Sequence, residues 1–170
     1  PITPASDILH ELSKHKNFRV KTFQVEDEIA GISSAIGASY GGAIGVTTTS
    51  GPGMALKSEA MGLAVMLELP LVIVDVQRLG PSTGAPSVGM AGDMVQAARG
   101  SHGDYQIIAL CPESPQEMFD LTVRAFNLAE RYRVPVFLMA DGFTGHMREQ
   151  IVIPPEEDIR LENRKIPDSS

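Results

Sequence analysis

Short apolar runs alternate with stretches of helical periodicity along this chain, and that alternation constrains its fold more than any other feature. The runs at residues 19–23, 43–49, 71–76, 106–110 and 135–140 read as strands. Leu71-Val72-Ile73-Val74 and Val136-Phe137-Leu138-Met139 show no polar alternation. That is the pattern of strands buried on both faces. Helical patterns fall at 6–14, 26–39, 52–67, 92–98 and 115–131. In the last, Met118, Leu121, Ala125, Leu128 and Ala129 share one face. Strand and helix in strict alternation predict βαβ units, a parallel sheet and an α/β domain of three layers, α/β/α. Ligands in such folds sit beyond the carboxyl ends of the strands. Two Gly/Pro/Ser/Thr-rich stretches lie at those ends, residues 47–53 and 77–92. The second is long enough to be a functional loop.

The chain has 170 residues, one domain by length. Its net charge of −7 makes it a poor electrostatic partner for nucleic acid or an anionic membrane. The apolar runs are short and broken by Pro70 and Pro135, so none reads as a membrane span. A single cysteine, Cys111, excludes a disulfide framework and an intrachain iron–sulfur or zinc–thiolate site. Cys111 itself reads as a small buried hydrophobe, and a free thiol suits a reducing, cytoplasmic setting. The chain opens on Pro1 and not on Met, so a piece of something longer is expected. Residues 1–150 form the domain; 151–170, charged and proline-spaced, read as a linker toward a further domain.

Three features could carry chemistry. Ser50-Gly51-Pro52-Gly53 follows a strand and opens a helix, where glycine permits close backbone approach. It is not a phosphate P-loop, because Lys57-Ser58 lacks the preceding glycine, and no G-x-G-x-x-G follows a strand. A plain glycine-rich turn is the alternative. Glu28 follows Glu26 and Asp27 at the start of a helix of small and apolar residues. These acids either serve the helix dipole or include one inward, proton-handling carboxyl. Arg78 stands at a strand's carboxyl edge, placed for a clamp on a small carboxylate or for a surface ion pair with Asp75 or Asp93. His102 and Asp104 read as turn residues, and no His/Cys spacing suggests a metal.

Together the pieces resemble a known family. Glu28, Ala35, Gly37, a strand, Thr49-Ser50-Gly51-Pro52-Gly53, a helix and Leu69-Pro70-Leu71-Val72-Ile73-Val74 resemble the pyrimidine-binding domain of thiamine-diphosphate enzymes. Pro1-Ile2-Thr3-Pro4 resembles a motif of 2-oxoacid:ferredoxin oxidoreductases. Asp75-Val76-Gln77-Arg78-Leu79-Gly80-Pro81-Ser82-Thr83-Gly84 resembles the alpha subunit of their 2-oxoglutarate branch. Gly100-Ser101-His102-Gly103-Asp104-Tyr105 and Gly145-His146-Met147-Arg148-Glu149 fit the same subunit.

The resemblance implies oxidative decarboxylation of a 2-oxoacid to an acyl-CoA with reduction of ferredoxin. It implies that Glu28 hydrogen-bonds N1′ of the cofactor's aminopyrimidine, with Ser50, Gly51, Pro52 and Gly53 beside it. Thr3 and Arg78 would bind substrate. The diphosphate, its Mg²⁺ and an iron–sulfur cluster would belong to a partner beta subunit in a hetero-oligomer. Ala140-Asp141-Gly142 and Asn163 look like that metal motif, but Asp141 ends the last strand and is expected to be a decoy. A flavodoxin-like ligand-binding or scaffold module is the alternative reading.

Overall fold

The computed structural model describes residues 1–165. Strands β1 (Val46–Thr49), β2 (Leu71–Gln77), β3 (Ile108–Leu110) and β4 (Pro135–Asp141) form one sheet of order β1-β2-β4-β3, every pair parallel. β2 and β4 are central and pair over their full length, Leu71 against Pro135 through Gln77 against Asp141. Both lack polar alternation because helices cover both of their faces.

Alternate residues of these strands feed two cores. Leu71, Ile73, Phe137 and Met139 pack with α2 (Glu28–Tyr40), α3 (Gly51–Met66) and Ala97 of α4 (Met94–Arg99). Val72, Val74, Val76, Val136, Leu138 and Ala140 pack with α5 (Pro115–Tyr132) and with Ala5 and Ile8 at α1 (Ser6–Leu12). The three-layer α/β/α expectation therefore holds.

Local chemistry starts α5 where the sequence places it. Pro115 occupies the first helical position, and the Ser114 hydroxyl accepts from Glu117 N at 3.1 Å. α3 carries apolar residues on its outer side as well as its inner one, with Glu59 exposed among them. Met54, Ala60, Met61 and Ala64 face the core, while Leu56, Leu63 and Met66 are 50%, 46% and 81% exposed.

One expected strand is absent. Residues 19–23 make no ladder; a 3₁₀ turn at Lys16–Phe18 leads into irregular chain. Its β-branched and aromatic residues find no strand to pair with, and Phe18 and Phe23 stay largely exposed. Local preference without a packing partner does not make a strand. The 43–49 and 106–110 runs shorten at their N-terminal ends, and the 6–14 helix stops at Leu12.

Residues 151–164 lie back along α5. The Gln116 side-chain amide bonds both N and O of Val152, and that of Asn127 bonds Arg160 O and Glu162 N. Arg164 then pairs with Glu130 and donates to the Ser39 and Ala43 carbonyls.

Candidate functional site

The residues singled out from the sequence meet where α3 leaves the carboxyl end of β1. Ser50 is its N-cap in extended conformation, followed by Gly51, Pro52 and Gly53. Gly53 is an obligatory contact point. A Cβ there would stand 2.5 Å from Thr49 Oγ1, 2.8 Å from Glu28 Cγ and 3.2 Å from Ile2 Cγ2. Only a residue without a side chain lets α2, α3 and the N-terminal segment approach so closely.

The three successive acids separate cleanly. Glu26 is exposed. Asp27 caps α2, its carboxyl accepting from Ala30 N at 2.8 Å. Glu28 is half-buried and turned toward Gly53. Among the described residues, no hydrogen bond or ion pair engages its carboxyl; its carbonyl oxygen accepts from Lys57 Nζ at 3.0 Å. Lys57, on α3, is 1% exposed. Burial holds its ammonium down to about 8, against the opposing pull of Glu28 and Asp27.

Arg78 follows directly on β2 and is buried. Its Nη1 donates to Thr3 O at 2.7 Å and its Nη2 to Thr83 O at 2.6 Å. Its stem passes Gly51, where an added Cβ would come to 3.4 Å of Arg78 Cγ. This replaces the alternative of a surface ion pair with Asp75 or Asp93. Thr3 is exposed. It lines a cavity of about 400 Å³ together with Pro4, Ser6, Pro86 and Gly142, between the segment after β2 and the start of α6 (Gly142–His146). That position lies beyond the carboxyl ends of adjacent strands whose following chains diverge, where α/β folds bind ligands.

The long stretch after β2 is an ordered turn. Leu79 and Ala85 form an antiparallel bridge, and Leu79 N donates to Val88 O at 3.0 Å. Gly84 closes it at φ +58°, where a Cβ would collide with the Leu79 carbonyl. The turn brings Thr83 O to Arg78. Farther on, Asp93 accepts from Gly51 N at 2.9 Å, tying this segment to the start of α3.

Several buried polar atoms here have no hydrogen-bond partner among the described residues: Thr49 Oγ1, Ser50 Oγ, Gln77 Oε1, Arg78 Nε and both oxygens of Asp75. Burial, with the Asp93 carboxyl nearby, pushes Asp75 up to about 9. The folded state thus keeps a proton that the unfolded chain loses above about pH 4. The stability contributed by neutral Asp75 is complete below that pH and falls as pH rises toward 9. Asp75→Asn removes the titration. Its unfolding free energy should exceed the wild type's by a margin that grows from pH 5 to pH 8, at about 1.4 kcal/mol per pH unit. Thermal unfolding at both pH values checks this, and a margin independent of pH would contradict it.

Glu28 and Gly53 thus come together, as do Thr3, Arg78 and Gly51. Lys57, Asp75, Gln77 and Asp93 were not singled out as functional residues from sequence. A lysine on the helix face of Met54 and Met61, and an acid inside an apolar strand, were the available signals. Cys111 is exposed, contrary to the expected burial, because it follows the short edge strand β3 and nothing packs over it. His102 and Asp104 are exposed. Asp141 ends β4 and caps α6, accepting from Thr144 N at 2.7 Å. Among the described residues, no group of three or more His, Cys, Asp or Glu is placed to hold a metal.

Comparison with known proteins sets this geometry in context. A family model described as "pyruvate flavodoxin/ferredoxin oxidoreductase, thiamine diP-bdg" matches residues 1–169. The 2-oxoglutarate oxidoreductase subunit KorA of Mycobacterium tuberculosis is 56% identical over 154 residues, covering 91% of this chain and 24% of that protein. The 2-oxoglutarate synthase subunit KorA of Methanocaldococcus jannaschii is 51% identical over 172 residues, covering 99% of this chain and 46% of that protein. This chain therefore spans less than half the length of either relative. Among solved structures, a 2-oxoglutarate:ferredoxin oxidoreductase from Magnetococcus marinus, with 2-oxoglutarate, coenzyme A and succinyl-CoA bound, superposes with a TM-score of 0.89 at 40% identity. The match covers 99% of this chain and 30% of that one. The chain belongs to the thiamine-diphosphate-binding domain family of the pyruvate flavodoxin/ferredoxin oxidoreductases.

Proposed function

We propose that this chain supplies the pyrimidine-binding half of the active site in a 2-oxoglutarate:ferredoxin oxidoreductase. In that reaction 2-oxoglutarate and coenzyme A give succinyl-CoA and carbon dioxide, and the electron pair passes to ferredoxin. The observation that carries the reading is the convergence of Glu28, Gly53, Thr3 and Arg78 on the start of α3. Identities of 50% and more to 2-oxoglutarate enzyme subunits support the choice of substrate.

The residues fit the cofactor. Glu28 offers an unengaged, half-buried carboxyl, and the polar atoms of Thr49 and Ser50 lie close by without partners. Glu28 would hold the aminopyrimidine through N1′, and Ser50, Gly51, Pro52 and Gly53 would form the wall beside it. When bound, thiamine diphosphate supplies the electron sink that lets carbon dioxide leave. Glu28 keeps a proton at its carboxyl oxygen available to N1′ and takes it back. Arg78 uses two N–H groups on the Thr3 and Thr83 carbonyls, and the remaining N–H groups of its two Nη atoms would serve a substrate carboxylate that reaches it past Thr3. The Thr3 hydroxyl, exposed on the cavity beside it, can donate to a carboxylate or keto oxygen.

Mg²⁺ and the iron–sulfur cluster are assigned to a partner beta subunit, and the working assembly to a cytoplasmic hetero-oligomer. The test is 2-oxoglutarate-dependent reduction of a viologen dye, with coenzyme A and thiamine diphosphate. It uses the complex co-purified with the full-length chain. Reduction is the expected result. Failure with every 2-oxoacid, in a complex that carries its cluster, would leave a ligand-binding or scaffold role.

A further inference from the structure

Asp75 and Asp93 bring two carboxyls together inside the chain, and the proposed function uses neither. Asp75 lies on β2 in register with Thr49 of β1 and Met139 of β4, and is fully buried. Among the described residues, no N–H or O–H donates to either of its oxygens. Asp93 is half-buried and stands at the far end of the turn that follows β2. One of its oxygens accepts from Gly51 N at 2.9 Å, and Gly51 opens α3 at φ +37°. Its neighbour Gly92 returns to the start of the turn, where a Cβ would stand 3.5 Å from the Arg78 carbonyl oxygen. Asp93 therefore joins the opening of α3 to the turn whose Thr83 carbonyl holds Arg78.

Two ionised carboxylates cannot hold each other. Neither has a hydrogen to give, and like charges repel. A single proton resolves this, because a carboxylic acid has an O–H donor. Asp75 is the deeper of the two, whereas Asp93 already spends its carboxylate on a backbone N–H. We propose that protonated Asp75 donates to Asp93 and so latches the turn after β2 onto the opening of α3, and that loss of this one proton frees the latch. Asp75 is thus a positioning residue acting through Asp93. Its consequence for the site rests on the proposed cofactor wall at Gly51 and the proposed clamp at Arg78; the latch itself does not.

Asp93 is the charged group that acts on Asp75, and the Thr49 and Met139 side chains on the flanking strands carry no charge. Burial and the Asp93 carboxyl push Asp75 up to about 9, so the latch is closed at neutral pH. Once the segment opens and water reaches Asp75, its value is the ordinary one near 4. Opening then releases a proton at every pH between those limits, and each unit of rise favours opening about tenfold.

The test is amide hydrogen exchange, read by mass spectrometry from pH 6 to pH 8, on the full-length chain in complex with its partner subunit and without cofactor. Rates are corrected for the intrinsic pH dependence of exchange. Lys57, held down to about 8, keeps its proton over most of that interval. In the wild type, residues 50–54 and 77–93 should open at least about tenfold more readily than β4, and their protection should fall about tenfold per pH unit. In Asp75→Asn the amide donates without a titrating proton, so the fall should disappear. Asp75→Leu is of similar size but has no donor. It should leave the segment at least about tenfold less protected than Asp75→Asn at pH 6.

A wild-type segment whose protection ignores pH, or one that opens only together with β4, would overturn the latch, as would equal protection in the Asn and Leu variants. Asp93→Asn serves if the Asp75 variants do not assemble: its amide donates to an ionised Asp75, and a pH dependence that survives it would overturn the latch too. Thiamine diphosphate with Mg²⁺, added at pH 8, should restore protection of residues 50–54 in the wild type. A latch that responds to pH as expected while the cofactor leaves those residues unprotected would remove the cofactor wall and leave the latch standing.

Discussion

Glu28→Gln is expected to remove nearly all turnover from the assembled enzyme, by about 10²–10⁴-fold, while assembly is retained. The two side chains are nearly the same size, and among the described residues the wild-type carboxyl makes no hydrogen bond whose loss would unfold α2. What disappears is the capacity to hold and return a proton. The amide offers a hydrogen bond to N1′ but no exchangeable acid. The assay is dye reduction with 2-oxoglutarate, beside gel filtration of the complex. Activity within a few-fold of the wild type would take the role from Glu28.

The second large effect is expected at Arg78. Arg78→Lys keeps a positive charge but replaces a planar fork by a single point of charge. One ammonium cannot serve Thr3 O and Thr83 O in the fixed geometry that the guanidinium provides. A lysine held by those carbonyls would lose a charge-assisted hydrogen bond to the substrate carboxylate, worth about 1.5–3 kcal/mol. The expectation is therefore a rise in KM for 2-oxoglutarate of about ten- to a hundredfold, with a smaller change in kcat. Steady-state kinetics at saturating coenzyme A separates the two. An unchanged KM at full turnover would refute the clamp.

The parts of the fold that could be read from the sequence were those with strong local signals. β2 and β4 are continuous apolar runs, and α5 shows a helical stripe behind a Ser-Pro start; all three lie where the pattern placed them. Residues 19–23 carry a strand's composition, but a strand exists only through its neighbour, and no composition says whether a neighbour is present. Cys111 misled for a similar reason: cysteine is usually buried, yet this one follows a three-residue edge strand.

The candidate site divides along the same line. Glu28, Gly53, Thr3 and Arg78 were visible because they sit in short motifs. Lys57 was not, since its hydrogen bond to Glu28 joins residues 29 positions apart. The Asp93 bond to Gly51 N spans 42 positions and is equally silent in one dimension. Of the three consecutive acids, only the cap geometry shows which one is spent on the backbone.

The outward side of α3 has a practical consequence. Leu56, Leu63 and Met66 stand exposed, with Glu59 among them, on the helix that opens at Gly51-Pro52-Gly53. A chain produced alone carries those side chains into water, where exposed apolar area favours self-association. If the proposed hetero-oligomer covers that side, yield of monodisperse material should depend on co-expression more than on buffer or temperature.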